Sequence, residues 1–355
     1  MHGVWQHARG ALHVCVIVVL KIDLQRGEQN IRGIFITTFA AGALGALFLP
    51  SAAEAQSYPI RPVRLVVPYP PGGTTDFTAR EISQALSESM GQQFVVDNRS
   101  GAAGTMGHHI VAKAAPDGYT LVVGTFGGLV TGPALMGAQL PYDPEKDFVP
   151  IGLAVHTPWA LVLNPGVPAK SVKELIDLAK ASPGKLNYAS TGTGTPNHLG
   201  MVLLLLHANI NMIHVPYRSA GQITVDLISG QVQSVFSGVP QILPHVKAGR
   251  LRVIGVGHPV RLCALPDVAA IAETVPGFNN SGFYGLLAPP STPRVLVDRL
   301  NGELKKAFGA PETVMRLESQ GVVAATSTPQ EFAALIRKHL VLWRKVVKDA
   351  NIKPD

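Results

Sequence analysis

Cysteine and charge are both scarce in this sequence. Only two cysteines, Cys15 and Cys263, occur among 355 residues, which excludes a disulfide-stapled scaffold and a cysteine-rich metal site. Charged residues make up 15% of the chain and hydrophobic residues 46%, a composition that excludes intrinsic disorder. The formal net charge of +7 comes without a run of lysine and arginine. We therefore expect no nucleic-acid partner.

Catalytic signatures are absent as well. The sequence contains no H-E-x-x-H, no G-x-S-x-G and no G-x-x-x-x-G-K-[ST] motif. The adjacent His108 and His109 would point to different sides of a helix, which makes them a poor metal pair. Gly192 and Gly194 begin a dinucleotide-binding pattern, but Asn197 stands where the third glycine belongs. The sequence therefore predicts no cofactor, no metal and no catalytic group.

Glycine and proline, by contrast, are plentiful, at 36 and 28 residues, which indicates many tight turns. The mass of 37.5 kDa is enough for two domains of ordinary size. Short β-rich runs alternate with helical runs, a pattern typical of an α/β fold with parallel strands and helices on both faces. The main predicted elements are strands at 63–69, 94–98, 119–125 and 186–191 and helices at 76–90, 106–115 and 197–208.

The second half of the chain repeats this alternation and ends in helices. Capping boxes that begin at Ser171 and Thr328 predict two of the helix starts. Extended segments near 156–163 and 282–288 are interpreted as two strands that cross between lobes, with a cleft at the hinge. The predicted division is lobe 1 at 56–158 and 280–355 and lobe 2 at 159–279.

The N-terminal segment reads as an export signal. Residues 33–50 form an uncharged apolar stretch, and Ala53 and Ala55 follow in the A-x-A pattern that signal peptidase accepts. A single membrane anchor is the alternative, because the stretch is nearly long enough to span a bilayer. We favour cleavage after Ala55 and a periplasmic location, because polar, turn-rich sequence follows. Residues 1–55 are thus interpreted as a signal peptide with a doubtful extension at 1–30, where acidic residues interrupt the pattern.

Two loops combine glycines with hydroxyl side chains between a strand and a helix. Loop one comprises residues 68–76 (PYPPGGTTD) and loop two comprises residues 190–198 (STGTGTPNH). Each would stand at a helix N-terminus, where unpaired N–H groups and the helix dipole favour an anion. Neither loop contains lysine or arginine, so the expected ligand is a carboxylate held by neutral donors. Turn and cap chemistry explains either loop alone, but their corresponding positions favour a shared ligand.

One further segment and three single side chains, two of them within loop one, are also candidates. The segment Thr125-Phe126-Gly127-Gly128, after the third predicted strand, is a candidate for another wall of the site, with a simple strand-end turn as the alternative. Tyr69 and Tyr217 are candidates to cover the carbon chain of a ligand, although half-buried core positions explain them equally well. Asp76 is interpreted as a helix cap in preference to a catalytic group.

Stretches along nearly the whole chain from residue 58 carry a family resemblance, among them YPIRPVRLVVPYPPGGTTD, NPGVPAKSVKELIDLAKASPGKLNYASTGTGTPNHL and IHVPYRSAGQ. On these residues the sequence resembles the Bug/TctC family, the extracytoplasmic solute receptors of tripartite tricarboxylate transporters. The resemblance implies a type II periplasmic-binding-protein fold, with two α/β lobes joined by two crossing strands and a ligand cleft between them. It also implies that loop one and loop two form the two halves of a carboxylate pincer, often with bridging waters.

One departure from the family pattern bears on the ligand. Many relatives carry an aspartate, facing the cleft, at the position of Ser237. The serine removes a partner for an ammonium group. Our hypothesis is that this protein prefers a carboxylate without a positively charged amine over an amino acid.

The resemblance implies a periplasmic receptor that acts as a monomer and delivers a small carboxylate to integral membrane transporter subunits. Two alternatives stay open: a sensor that hands its closed form to a signalling partner, and a secreted carboxylate-processing enzyme with His198 as candidate base. The predicted ligand-binding residues are Tyr69, Pro71, Gly72, Gly73, Thr74, Thr75, Asp76, Thr125, Ser190, Thr191, Gly192, Thr193, Thr195, Asn197, His198, Tyr217 and Ser237.

Overall fold

The computed structural model of the protein describes residues 58–101 and 104–353. The predicted leader, residues 1–55, lies outside the described residues. Among the described residues, no helix combines the length and the apolarity that crossing a membrane requires.

The described chain alternates strands and helices. Its strands are β1 (Val63–Val67), β2 (Phe94–Asn98), β3 (Thr120–Thr125), β4 (Val149–Leu163), β5 (Asn187–Ser190), β6 (Ile213–Pro216), β7 (Ser234–Gly238), β8 (Arg252–Val256), β9 (Ser281–Ala288) and β10 (Val323–Ala324). Its α-helices are α1 (Thr74–Met90), α2 (Thr105–Ala112), α3 (Gly132–Met136), α4 (Val172–Ala181), α5 (Pro196–Ala208), α6 (Ala220–Ser229), α7 (Val239–Lys247), α8 (Arg294–Gly309), α9 (Pro311–Ser319) and α10 (Pro329–Asp349).

The strands form a sheet in the order β2-β1-β3-β9-β4-β7-β5-β6, with β8 and β10 also paired to β4. β1 runs parallel to β2 and β3, and β5 runs parallel to β6 and β7. The parallel pairing predicted from the alternating pattern is therefore confirmed for these strands. β4 and β9 run antiparallel to every strand they pair with, which makes the sheet as a whole mixed.

β4 carries the chain from one half of the sheet to the other. It pairs with β9 as far as Pro158 and with β7 from Trp159 onward. β9 carries the chain back, so two antiparallel strands connect an α/β lobe around β1–β3 with an α/β lobe around β5–β8. The residue boundaries given above for the two lobes stay a prediction.

The caps at the starts of α4 and α10 have a local cause. Ser171 Oγ accepts from the Glu174 N–H at 3.2 Å, but Glu174 Oε2 accepts from Lys170 N at 2.7 Å, one residue earlier than a capping box requires. Thr328 and Glu331 form the full reciprocal box, with both backbone N–H groups accepted by a side chain. Both predicted helix starts are confirmed.

One helical segment has no counterpart in the predicted elements. A π-helical turn, Gly127–Thr131, leads directly from the end of β3 into α3. Its glycines give it low intrinsic helix propensity, so the sequence pattern does not indicate a helix. Leu129 and Val130 in this turn are fully buried, and this tertiary packing stabilises it.

An aromatic cluster anchors the same segment. The ring of Phe126 packs edge to face on Phe283 of β9 and on His339 and Trp343 of α10, with ring centroids 5.3 to 5.7 Å apart. Trp343 is 1% exposed. Because Phe126 directly follows β3, this cluster holds the end of β3 in place beside the cleft.

Candidate functional site

A cavity of about 730 Å³ lies between the two lobes. Its walls come from loop one, loop two, the segments that follow β3 and β7, and the start of α6. The crossing strands β4 and β9 contribute Thr157, Trp159 and Tyr284. The carboxyl ends of parallel strands thus converge on the cavity, which is where open α/β sheets bind ligands.

Loop one leads from β1 into α1. The helix begins at Thr74 after Gly73, and no side chain caps it, so its first N–H groups have no acceptor within the helix. Gly72 has a φ of +86°, a left-handed conformation that glycine adopts without strain. The residues of loop one that line the cavity are Tyr69, Pro70, Pro71, Gly72, Gly73, Thr74 and Thr75.

Asp76 stabilises the conformation of loop one through hydrogen bonds. Its carboxylate is 4% exposed and accepts from Gly72 N at 3.1 Å, from Arg80 Nε at 2.9 Å and from Asn98 Nδ2 at 3.0 Å. Burial disfavours the charged form, but the hydrogen bonds outweigh it and hold the pKa of Asp76 below its usual range. Asp76 is absent from the described cavity wall, so its carboxylate positions loop one and the side chains of loop one that line the cavity are uncharged.

Loop two leads from β5 into α5 and is closed by its own side chains. Thr195 Oγ1 lies 2.6 Å from Gly192 O and 2.6 Å from Asn197 Oδ1. Asn197 Oδ1 also accepts from Thr191 Oγ1 at 3.2 Å and from His198 N at 3.1 Å. The Thr195 hydroxyl does not cap α5, Pro196 has no N–H, and His198 N donates to Asn197 Oδ1, so Asn197 N is the first-turn N–H of α5 that has no acceptor within the helix.

Ser190 and His198, the first and last residues of loop two, do not line the described cavity. Ser190 Oγ lies 2.6 Å from His214 Nε2 and accepts from Gly192 N at 3.1 Å. His198 is 6% exposed, and its Nδ1 accepts from Gly194 N at 3.1 Å. The ring centroids of His198 and His214 are 4.2 Å apart. These side chains support the loop, and the candidate base His198 is not presented to a ligand in the cavity.

Tyr217 is also absent from the lining of the described cavity. Its hydroxyl donates to Asp226 Oδ2 at 2.9 Å. Burial and the neighbouring Asp226 carboxylate raise the pKa of Tyr217, so the phenol stays protonated. Tyr217 therefore ties the end of β6 to α6.

Two tyrosines line the cavity beside threonine hydroxyls. The hydroxyl of Tyr69 lies within hydrogen-bonding reach of Thr125, and that of Tyr284 lies within reach of Thr75 and Thr157. Burial raises the pKa of both phenols above the usual value, so both stay neutral at physiological pH. The cavity thus offers neutral hydroxyl groups from both crossing strands and from loop one.

The segment after β3, which forms one wall of the cavity, packs closely against a histidine ring at Gly128. An ideal Cβ at Gly128 would lie 2.2 Å from the His108 ring, so only glycine fits there. His108 Nδ1 lies 2.8 Å from Gly104 O, and burial lowers the pKa of His108 to about 4. Thr125 Oγ1 accepts from Gly128 N at 3.2 Å, which places Thr125 on the cavity wall.

The two lobes approach each other on both sides of the cavity. An ideal Cβ at Gly238, at the end of β7, would lie 3.5 Å from Thr74 Oγ1 of loop one. An ideal Cβ at Gly194 of loop two would lie 2.2 Å from Leu135 Cδ2 of α3. Loop one and loop two therefore each lie against the opposite lobe.

The structure brings most of the predicted site residues to the lining of one cavity. Those that line the cavity are Tyr69, Pro71, Gly72, Gly73, Thr74, Thr75, Thr125, Thr191, Thr195, Asn197 and Ser237. Those that do not line it in the described chain are Asp76, Ser190, Gly192, Thr193, His198 and Tyr217. The assignment of a ligand to the first group stays a prediction.

Sequence reasoning missed several lining residues. They include Thr157, Pro158, Trp159, Arg218, Ser219, Ala220, Gly221, Gln241 and Tyr284. Arg218 and Ser219 stand between a strand and a helix, and the rule that found loop one and loop two also applies to them. The lining residues on β4 and β9 have no such local signal, because the pairing of distant segments decides which of their side chains face the cavity.

Two features of the cavity limit its chemistry. Among the lining residues of the described chain, none is acidic and the one charged residue is Arg218. In the same described ranges, no group of three or more His, Cys, Asp or Glu is placed to hold a metal ion. The wall is therefore suited to an uncharged or anionic ligand.

Comparisons with known proteins agree with this architecture. A family model described as "Tripartite tricarboxylate transporter family receptor" (TctC) matches residues 78–352. The chain is 39% identical over 306 residues to a UPF0065 protein in the tcbD-tcbE intergenic region of Pseudomonas sp. (strain P51). That match covers 86% of this chain and 90% of the relative.

Solved structures show the same fold. Rpa4515 of R. palustris, solved with adipate, is 34% identical with a TM-score of 0.77, covering 84% of this chain and 100% of the other. The periplasmic binding protein BugD is 29% identical with a TM-score of 0.74, covering 84% and 100%. MatC (Rpa3494) of Rhodopseudomonas palustris, solved with bound malate, is 31% identical with a TM-score of 0.71, covering 82% and 100%.

Two α/β lobes, two connecting strands and a cavity between the lobes define a periplasmic ligand-binding receptor of the two-lobed class. Within that class, the chain belongs to the TctC family of tripartite tricarboxylate transporter receptors. The resemblance seen in the sequence is confirmed. The family consists of solute-binding receptors rather than enzymes.

Proposed function

We propose that the protein captures a small carboxylate in this cavity and delivers it to the membrane subunits of a tripartite tricarboxylate-type transporter. The observation that carries the proposal is a pair of helix N-termini without side-chain caps, α1 and α5, on the wall of one cavity. A helix N-terminus acts as a partial charge of about +0.5 and presents N–H donors, which together suit a carboxylate. Two relatives have been solved with adipate and with malate, and both of these ligands are carboxylates, which supports the proposal.

The two helices belong to different lobes, which suggests how binding is reported to a partner. A ligand that contacts both N-termini interacts best with the arrangement in which the lobes approach each other. Binding therefore shifts the population toward that closed form, and the membrane subunits recognise it. No chemical step is part of this cycle.

The proposed ligand is a carboxylate without a positively charged amine. Ser237 Oγ donates to Gln241 Oε1 at 3.3 Å, and no acidic residue lines the cavity in the described part of the chain. An ammonium group would therefore lose its hydration without gaining an anionic partner. Amino acids are expected to bind more weakly than the corresponding carboxylic acids.

We propose that the protein acts as a monomer in the periplasm. Residues 33–55 carry the export signal, with cleavage after Ala55. Protein recovered from the periplasm of expressing cells is expected to begin at Gln56 and to elute as a monomer in size-exclusion chromatography. An uncleaved N-terminus in the membrane fraction would instead support the anchor.

A thermal-shift screen tests the function. The panel contains dicarboxylates, tricarboxylates, aromatic carboxylates and amino acids, and each is followed over time for consumption. A one-site ligand at a hundred times its Kd stabilises the folded state by about 2.7 kcal/mol, which is a measurable shift. We expect a rise in Tm with one carboxylate class and no consumption. Consumption of the ligand would contradict a receptor without turnover, and a shift with amino acids alone would contradict the assigned ligand class.

A further inference from the structure

Arg218 is the one charged residue on the described cavity wall, and loop one and loop two do not supply it. It is exposed, and no ion pair within the described ranges involves it. The acidic residue on the adjoining helix α6, Asp226, accepts a hydrogen bond from Tyr217 instead. A cation on a cavity wall with no protein partner is available to an anionic group of the ligand.

The position of Arg218 is fixed relative to loop two by strand pairing. Ser190 at the end of β5 lies opposite Pro216 of β6, and the next N–H, that of Tyr217, donates to Ser190 O at 2.8 Å. Adjacent strands lie about 4.8 Å apart, so Arg218 follows β6 one strand away from the start of loop two. Arg218 and loop two therefore line the same cavity from the ends of neighbouring strands.

The backbone around Arg218 is held in place by the start of α6. Ser219 is the N-cap residue, and its hydroxyl accepts from Gln222 N at 3.3 Å. That hydroxyl is therefore committed to the helix, and Arg218 provides the charge on this part of the wall. The backbone at Arg218 is thus held by the capped start of α6, while its side chain is available to a ligand.

We propose that Arg218 pairs with a second carboxylate of the ligand and thereby makes the protein selective for dicarboxylates over monocarboxylates of the same length. The inference rests on the proposed function, in which the first carboxylate is held by loop one and loop two. In this arrangement the neutral loops recognise one end of the ligand and Arg218 recognises the other. A guanidinium pairs with a carboxylate through charge-assisted hydrogen bonds that an ester cannot form.

Isothermal titration with matched ligands tests the inference. The probes are the straight-chain dicarboxylates from succinate to pimelate and the monomethyl ester of each. Wild-type protein is expected to bind the best dicarboxylate about tenfold more tightly than its monoester, the size of one charge-assisted hydrogen bond. Arg218→Gln is expected to lose that preference while its Kd for the monoester stays unchanged.

A matched variant distinguishes a direct pair between Arg218 and the ligand carboxylate from a general effect of the protein's net charge. Arg250 is exposed and follows the C-terminal end of α7, whose N-terminal residues line the cavity. Arg250→Gln removes the same charge and is expected to keep the full preference for the dicarboxylate. Equal loss in both variants would overturn the inference, because the preference would then reflect net charge alone.

The outcomes also distinguish the inference from the proposed function. If wild type binds monoesters as tightly as dicarboxylates, or if Arg218→Gln keeps the preference, the inference fails and the carboxylate receptor stands. If wild type binds no member of either series, the inference fails, and the thermal-shift panel with its other carboxylates decides the proposed function. The Tm of each variant is measured alongside, and we expect no change for either exposed arginine.

Discussion

At the scale of single residues, hydrogen bonds decide which polar side chains face the cavity. The hydroxyl of Thr75 lies beside Tyr284, whereas the next residue, Asp76, turns back to Gly72 N and Asn98. The sequence alone predicts that both belong to a site at the start of α1. It does not show which is presented to a ligand, because that depends on the partner Asn98, which is the last residue of a different strand, β2.

Asp76→Ala tests the positioning role of this carboxylate. The change leaves Gly72 N without its acceptor and removes one of the two acceptors of the Asn98 amide, which also donates to Tyr69 O, so we expect a loss of about 1–3 kcal/mol in the free energy of unfolding. Loop one should loosen, and the Kd of any carboxylate that binds wild type should rise. Urea denaturation and isothermal titration measure the two effects.

Asp177→Ala is the control for that substitution. Asp177 is exposed on α4 and pairs with Lys173 one turn earlier, the kind of surface pair whose removal has little effect on stability. It lies away from the cavity wall of the described chain. Equal losses of stability and affinity in both variants would contradict a special role for Asp76.

At the scale of elements, local signals account for what the sequence predicts. β2 spans 94–98 as expected, α1 begins at Thr74, two residues before the predicted start, and α5 begins at Pro196 after the N-cap residue Thr195. Glycines, hydroxyl caps and apolar periodicity within each segment are sufficient for these elements. The π-helical turn Gly127–Thr131 is different, because packing against α10 holds it against its own low helix propensity.

Gly128→Ala tests whether close packing holds that turn. A Cβ at this position would overlap the His108 ring, which is fully buried, so we expect a loss of about 1–3 kcal/mol from overpacking. Thermal and urea denaturation of the ligand-free protein measure it.

Gly302→Ala provides a matched glycine control. Gly302 lies within α8, and an ideal Cβ there meets no atom within 4 Å. Alanine is the better helix former, so this variant should gain about 0.5–1 kcal/mol of stability. A loss in Gly302→Ala as large as that in Gly128→Ala would show that the His108 contact is not the cause.

At the scale of the whole molecule, the cavity combines residues from distant parts of the chain. Loop one, loop two and the segment after β3 are readable in the sequence, but Thr157, Trp159 and Tyr284 reach the wall through the crossing of β4 and β9. Whether these side chains face the cavity depends on the sheet twist and on the strand register between segments more than a hundred residues apart. No local sequence pattern predicts either.

Buried histidines make the stability of the whole fold depend on pH. Burial lowers the pKa of His108 and of His339 from 6.5 to about 4, and it also lowers the pKa of His156 and His258. The unfolded chain therefore binds more protons below pH 6.5 than the folded chain does. Stability is complete above about pH 6.5 and falls toward pH 4, by about 2 kcal/mol at pH 5 for each of His108 and His339.

Urea denaturation at pH 8, 6 and 5 measures this dependence. His339→Leu removes one titrating group from the cluster with Phe126 and Trp343 and is expected to flatten the slope between pH 8 and 5. His207→Leu removes an exposed histidine and is expected to keep the wild-type slope. An unchanged slope in His339→Leu would show that this histidine does not contribute.

The most direct test of the central claim is a crystal structure with the carboxylate that gives the largest thermal shift. We predict that one carboxylate lies between loop one and loop two and accepts hydrogen bonds, directly or through water, from N–H groups at the starts of both α1 and α5. A ligand bound outside the cavity, or held by one loop alone, would contradict the two-lobed carboxylate clamp.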